Sequence, residues 1–357
     1  MSKNTQKQSK GKAGGPVAVT FNPKQVGKRL IGVLSTRARD VIVKRYGLGE
    51  KTKRMTLEAI GEEYNITRER VRQIENYALA SIRKSDAYTK EDKAFCELKE
   101  EMLFFGGIVS EESFLAHLSK DPSVRNHFHF LLVVGESFEK RKEDEHFEHR
   151  WFVDGDVAET IEQALHKLYA SLSDDDLVLE SKIIETFLSH IKELSEHYQS
   201  EEMIKRWLEI SKKVGSNPLG EWGPMSSPSI SPKGIRDYAY LAIRQHGSPL
   251  HFTEVAKRIA ELFDKKAHIA TTHNELIKDS RFVLVGRGLY ALTDWGYMQG
   301  VVRDVIKKVL NEHGPLKRDE IIDKVLKERY VKPNTIIVNL QDPEHFEKQS
   351  DGAYKLV

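Results

Sequence analysis

Apolar positions between residues 55 and 83 recur at helical rather than strand spacing. Leu57, Ile60 and Tyr64 fall at i, i+3 and i+7, which predicts a short amphipathic helix with Gly61 admitting a close backbone neighbour. Val71, Ile74, Ala78 and Ile82 form the stripe of a second helix. Between them, Asn65 tolerates the left-handed region a tight turn needs, and the Thr67 hydroxyl is placed to cap the second helix. Two helices joined by so short a turn form a helix-turn-helix.

At about 100° per residue, that buried stripe turns Glu69, Arg72, Gln73 and Asn76 directly away from the core, with Arg68 and Arg70 beside them. These side chains suit a DNA major groove: Gln and Asn pair with adenine, Glu accepts from cytosine, and Arg binds guanine or phosphate. The alternative, a solvated face on an ordinary bundle helix, does not account for the turn chemistry in front of it.

The same order of elements is expected further on. Residues 233 to 297 read as three helices, GIRDYAYLAIRQHG, SPLHFTEVAKRIAELF and ATTHNELIKDS, followed by the alternating FVLVGRGLYAL, a hairpin turning at Gly286, Arg287 and Gly288. Residues 299 to 357 repeat it through VVRDVIKKVLNEHG, PLKRDEIIDKVLKER, PNTIIVNL and a hairpin turning at Ser350, Asp351 and Gly352. Gly107 to Leu118 with the hairpin SFEKRKEDEHFEHRWFV is a third, weaker instance. Each predicts a winged helix. Residues 156 to 214 read as amphipathic helix, with Ile183, Ile184, Phe187, Leu188 and Ile191 on one face, and SEEMIKRWLEISKKVG as a further short helix. The Pro, Gly and Ser density of NPLGEWGPMSSPSISPKG reads as a loop or linker in which Trp222 is out of place and is expected to pack on a neighbouring module.

The expected fold class is therefore mainly α with small β-hairpin wings (α+β): an N-terminal helix-turn-helix domain and an array of winged-helix modules. The expected segments are a disordered basic arm (1–20), the helix-turn-helix domain (21–88), a winged-helix-like module (92–155), a helical module (156–216), a linker (217–232), and two winged helices (233–297 and 298–357). Length alone, at 357 residues, suggests two or three domains.

Charge sharpens this. Of 56 Lys/Arg and 54 Asp/Glu, residues 1 to 90 hold 20 against 8, leaving 36 against 46 in the remainder. A basic first quarter gives a salt-dependent attraction to phosphate, while the acidic remainder argues against uniform wrapping of nucleic acid. One cysteine, Cys96, forbids an internal disulfide and fits a reducing compartment. No apolar signal or membrane-span segment is present, so a cytoplasmic, nucleoid-associated protein is expected.

Two further clusters carry candidate chemistry. Asp174, Asp175 and Asp176 followed by Glu180, Ser181 and Lys182 mimic a nuclease carboxylate and lysine set, but that set needs strands and these acids stand at an expected helix start. His127, His129, His146 and His149 alternate with aromatics in strand-like runs and read as structural rather than metal-bound. No Walker loop, dinucleotide fingerprint or nucleophile elbow occurs. No enzyme activity, metal or cofactor is expected.

LSTRARDVIVKRYGL (34–48) followed by MTLEAIGEEYNITRERVRQIENYALASIR (55–83) resembles region four of housekeeping-type bacterial sigma factors, including the TRERVRQIE core. The resemblance implies that Arg68, Glu69 and Gln73 touch promoter bases, with Arg72 and Asn76 on the same stripe, that Thr67, Arg70 and Arg72 touch phosphates, and that the domain's apolar side holds the flap of the polymerase beta subunit. Only about twenty polar residues precede Phe21, so the expected protein lacks the sigma regions that bind the clamp and melt DNA. Residues 233 to 297 resemble the HARE-HTH family, found in the polymerase delta subunit, restriction systems and chromatin proteins. Few basic residues lie on the corresponding helices: only Lys278 in one, with Thr272, His273 and Asn274 as possible polar contacts, and none in the other beyond the preceding Lys332, with Arg287 at the wing tip as the best phosphate contact. Three functions follow as expectations: a sigma-like transcription regulator binding double-stranded promoter DNA and core RNA polymerase, a delta-like accessory subunit, or the DNA-targeting subunit of a restriction or defence system.

Overall fold

The computed structural model describes residues 19–50, 52–174, 176–191, 200–298 and 300–357. The basic arm expected at 1–20 lies outside them but for its last two residues, as does Asp175. The chain is mainly helical with small three-stranded antiparallel sheets. It divides into two units, one reaching Ser173 and resuming over Val178–Gly215, the other comprising Asp174–Leu177 and Ser216–Val357.

The first unit opens with four helices: α1 (Pro23–Gly32), α2 (Thr36–Tyr46), α3 (Leu57–Tyr64) and α4 (Arg68–Arg83), then a single turn, α5 (Asp86–Thr89). Asn22 starts α1 by accepting from the Lys24 and Gln25 amides, and Pro23 supplies the fixed φ of a first helical position. Arg39 then stitches α1 to α2 by donating to the carbonyls of Ile31, Gly32 and Leu34. Gly47, at φ 63°, ends α2 in the left-handed region.

There follow α6 (Asp92–Phe105), β1 (Ile108–Ser110), α7 (Glu111–Leu118), α8 (Pro122–Val134), β2 (Glu139–Arg141) and β3 (Arg150–Phe152), with β3 central between β1 and β2. The strand-like reading of His127 and His129 is corrected here, because both lie on α8. Asp121 caps α8 and Pro122 starts it; eight of its last nine residues are buried, so apolar neighbours surround it and leave no polar face to give a helical period.

α8 packs on α1, α2 and α4. Leu30, Ile42 and Ile82 from the first helices share one core with Leu98, Met102, Phe114, Phe130 and Leu132. Asn126 on α8 donates to the carbonyls of Gly47 and Thr52 at 3.1 and 2.7 Å, and Arg83 at the end of α4 donates to those of Val133 and Val134. The helix-turn-helix and the element group after it are thus one folded body. A satellite core of Val41, Ile60 and Val71, flanked by Leu57, Tyr64 and Ile74, holds α2, α3 and α4 together.

The remaining elements are α9 (Gly155–Ser171), β4 (Val178–Leu179), α10 (Glu180–His190), α11 (Glu201–Leu208), β5 (Val214–Ser216), β6 (Glu221–Pro224), α12 (Ile235–His246), β7 (Leu250–His251), α13 (Phe252–Phe263), α14 (Ile269–Lys278), β8 (Phe282–Gly286), β9 (Leu289–Leu292), α15 (Val302–His313), β10 (Leu316–Lys317), α16 (Arg318–Glu328), α17 (Pro333–Leu340), β11 (Phe346–Lys348) and β12 (Ala353–Leu356). The order helix, short strand, helix, helix, strand, strand therefore runs four times from α6 to β12. In the first, third and fourth passages the last strand lies between the other two. Three of these passages are expected from the sequence, without their short first strands, because two or three residues are too few to show alternation. The second passage runs through residues expected to be wholly helical and then a linker; β6 lies in that linker, where Trp222 is buried at 7% exposure.

In the second unit each passage keeps its own core, Ile243, Val255, Ile259, Leu276 and Tyr290 in one, Ile306, Val309, Ile321, Val325 and Ile336 in the other. The outer edge of β8 is covered by the next passage, since the Tyr330 amide donates to Val285 at 2.7 Å and Gly286 pairs in parallel with Tyr330. Among the described residues, no helix is long and apolar enough to cross a membrane.

Candidate nucleic-acid interface

The turn between α3 and α4 fixes the direction of the exposed helix face. Asn65 sits at φ 52°, ψ 43°, in the left-handed region its short polar side chain tolerates. A Cβ on Gly61 would lie 2.6 Å from the Ile66 carbonyl oxygen, so only glycine lets α3 approach the turn. Thr67 accepts from the Arg70 amide at 3.2 Å, satisfying one of the free donors at the start of α4.

With Val71, Ala78, Leu79 and Ile82 buried, Thr67, Arg68, Glu69, Arg70, Arg72, Gln73 and Asn76 are all exposed. The structure thus brings seven of the eight expected contact residues onto one face of one element and its cap. The eighth, Arg287, belongs to the second unit, exposed at the β8–β9 turn beside Gly288 at φ 71°.

These groups satisfy one another. Arg72 grips Glu69 with two parallel bonds of 2.8 and 2.7 Å, Arg70 donates to Gln73 at 3.0 Å, and Arg68 reaches back to Glu58 on α3 at 2.8 Å. The hydrogen bond from Arg72 holds the Glu69 carboxyl below its ordinary range. All six side chains are open to water, where such pairs contribute little, so exchanging them for other partners is inexpensive.

Behind this face the support is polar and buried. Glu75, at 8% exposure, accepts from the Tyr46 hydroxyl at 2.8 Å and from Arg45 at 3.3 Å. Burial and the neighbouring Glu75 push the Tyr46 hydroxyl far above its ordinary range, keeping it a donor. Lys44 bridges Asp40 and Glu63 at 2.8 and 2.6 Å, tying α2 to α3. Periodicity singles out none of Glu58, Glu75 and Tyr46, because each is tied to a partner on another helix, which spacing along one helix does not show.

On α14, Thr272 is fully buried and donates to the His268 carbonyl, which removes it from the expected polar contacts. His273 stacks on Phe252 at 4.2 Å, while Asn274 and Lys278 are exposed. Glu180 opens α10 and pairs with Lys205 at 2.6 Å, at a helix start rather than in a strand. Among the described residues no group of three or more His, Cys, Asp or Glu is arranged to hold a metal ion.

Comparison with known proteins bears on the first helices. Residues 30–84 match the family model of sigma-70, region 4. Over 56 residues the chain is 48% identical to the RNA polymerase sigma factor SigA of Nostoc sp., covering 16% of this chain and 14% of that protein. It is 49% identical over 67 residues to sigma factor SigA1 of Synechococcus elongatus, 16% of each, and 43% identical over 65 residues to the principal sigma factor HrdD of Streptomyces viridifaciens, 18% and 19%. The chain thus spans under a fifth of each of these relatives. Helices α2 to α4, with the end of α1, are therefore a sigma-70 region 4 helix-turn-helix, a DNA-binding segment, set within a chain whose remainder lies outside that match.

Proposed function

We propose that this protein is a sigma-like regulator that reads double-stranded promoter DNA through α4 and acts on transcription initiation without catalysing a reaction. The observation that carries this reading is the α4 face itself: Arg68, Glu69, Arg70, Arg72, Gln73 and Asn76 exposed together behind a turn that glycine, a left-handed Asn and a Thr cap hold in place. Glu69 and Gln73, with Arg68, Arg72 and Asn76, read base edges, and Thr67 and Arg70 position the helix on phosphates. Selection of duplexes from a random pool by the purified chain tests it. A recovered motif that the Glu69→Ala, Gln73→Ala double variant no longer selects supports the reading; recovery of no motif sinks it.

Core RNA polymerase is the proposed protein partner. The apolar sides of α1, α2 and α4 are already covered by α8, so polymerase is met on another surface or by displacing α8. We further propose that the element groups from α6 to β12 are winged-helix modules, those at 233–297 and 298–357 serving mainly as protein contacts. α8 supports this, being the third helix of its module and spent on packing rather than on a groove. Binding of the full chain to core polymerase without DNA, displaced by an authentic sigma factor, is the expected result. Absence of binding at micromolar concentration leaves a free-standing DNA reader.

A further inference from the structure

In the second unit, the cleft beside Arg281, about 510 Å³, sets Asp237, Asp279 and Asp294 against its arginines. A smaller groove of about 230 Å³ in the same unit has no such balance. It lies between the β8–β9 hairpin and the start of α15, lined by aliphatic side chains, Leu284, Val285, Val301 and Val331 among them, and by Arg287 and Arg329, with no carboxylate. Leu284 is 49% and Val301 59% exposed. Arg287 is exposed and makes no ion pair or hydrogen bond among the described residues. Arg329 is buried, and its guanidinium donates to the carbonyls of Met298, Gly300 and Glu328 without forming an ion pair among the described residues. Burial pulls it below its ordinary range, with the Glu328 and Asp304 carboxylates acting on it only from a distance. An arginine keeps its proton even so, and the groove is left positive.

The lining decides what the groove takes. Small-molecule pockets run to about 300–1,000 Å³ and enclose their ligand, whereas this groove is smaller and open and suits side chains of a larger partner. It is also preformed: a Cβ on Gly286 would lie 2.7 Å from the Tyr330 carbonyl oxygen, and one on Gly300 2.8 Å from Asp304, so glycine lets the walls approach. A sugar-phosphate backbone would pair with Arg287 but leave the aliphatic walls without an apolar neighbour. A carboxylate beside an aliphatic or aromatic side chain answers both features, because the apolar group clears water from the walls while the acid meets the free guanidinium.

We propose that this groove docks an acidic, apolar segment of a partner protein, with an aliphatic or aromatic side chain against Leu284 and Val301 and a neighbouring carboxylate on Arg287, in the field of Arg329. The inference rests on the reading above that these modules serve as protein contacts, and gives that contact a place and a chemistry. Arg287, the wing-tip candidate for a phosphate, is here a carboxylate contact.

The test selects binders of the full chain from a displayed library of random short peptides, then measures the affinity of the consensus peptide. A consensus with an aspartate or glutamate close to an aliphatic or aromatic residue is expected. The Leu284→Ser, Val301→Ser variant should bind that peptide about tenfold or more weakly. Arg287→Ala should bind it about two- to fivefold more weakly at low salt, and in that variant exchanging the peptide's acid for its amide should cost nothing further. Both serine sites are exposed, and serine caps a helix well at the Val301 position, so the variant keeps its fold, which circular dichroism checks. A selection without an acidic, apolar consensus, or a peptide indifferent to both variants, overturns the proposal. So does an unrelated DNA duplex that displaces the peptide from the wild type but not from Arg287→Ala, which makes the groove a nucleic-acid contact, or a dimer of the full chain that the serine variant dissolves, which makes the occupant a second copy. Binding to core polymerase is measured alongside. A chain that selects no such peptide yet binds polymerase equally as wild type and serine variant loses the groove and keeps the protein-contact reading; one that binds neither loses both.

Discussion

Glu69 and Gln73 stand one turn apart on α4, each held by an arginine that, in the proposed reading, lets go when a base is read. Replacing either by alanine frees that arginine and removes a reader. Preference at one base pair is expected to fall about ten- to hundredfold while affinity for unrelated duplex changes little, as competition binding with single-base variants of the selected site would show. Arg70→Ala should weaken every sequence alike and lower the salt slope by about one. Deeper in the same unit, burial pushes both His127 and His129 below the ordinary histidine value. A depressed histidine contributes stability above its unfolded pKa, near 6.5, and loses it as pH falls through the folded value. Burial also opposes the charged form of Glu111, but hydrogen bonds from His129 and Lys140 outweigh it and hold the carboxyl well below its usual range; its contribution is lost at still lower pH. Denaturant midpoints should therefore fall below about pH 6.5, with His127→Gln and His129→Gln flattening the upper part of that decline. A flat profile from pH 7 to 5 would contradict it.

The turn between α3 and α4 is the element on which the DNA-facing geometry depends. Gly61→Ala would force a methyl to 2.6 Å from the Ile66 carbonyl, so the turn must open; unfolding stability is expected to drop by about 1–3 kcal/mol. DNA affinity should drop further than stability alone requires, because α4 is re-aimed. Asn65→Val places a β-branched residue in the left-handed region and should act in the same direction. Much of this element was legible in the sequence, since a glycine, an asparagine and a threonine at these positions each have one local job. α8 was not legible in that way: a helix buried on nearly all sides carries no polar stripe, so its aromatic and histidine alternation looked like strand. The two-residue strands β7 and β10 were equally invisible, because pairing with a distant hairpin is what defines them.

At the scale of the molecule, the helix-turn-helix shares its core with the module that follows. Phe130, fully buried among residues from both, should cost about 3–5 kcal/mol when cut to alanine. Hydrogen exchange should then report faster opening in α1, α2 and α4 as well as in α6 and α8, in one transition. If α1 to α4 kept their protection while α6 to α8 lost theirs, the two would be separate domains. Local periodicity, turn residues and caps by themselves determined the two helices, their tight turn and the outward stripe, because those follow from contacts only a few residues apart. They also determined the hairpins at Arg287 and Asp351, where glycine sets the turn. Tertiary structure alone decided that α8 covers the helix-turn-helix, that Glu75 is held by Tyr46 and Arg45, and that Ser35, Arg37 and Tyr77 line one cleft. Each of these joins residues far apart in the chain, and the physical cause, desolvation of one surface by another, leaves no mark on either sequence segment alone.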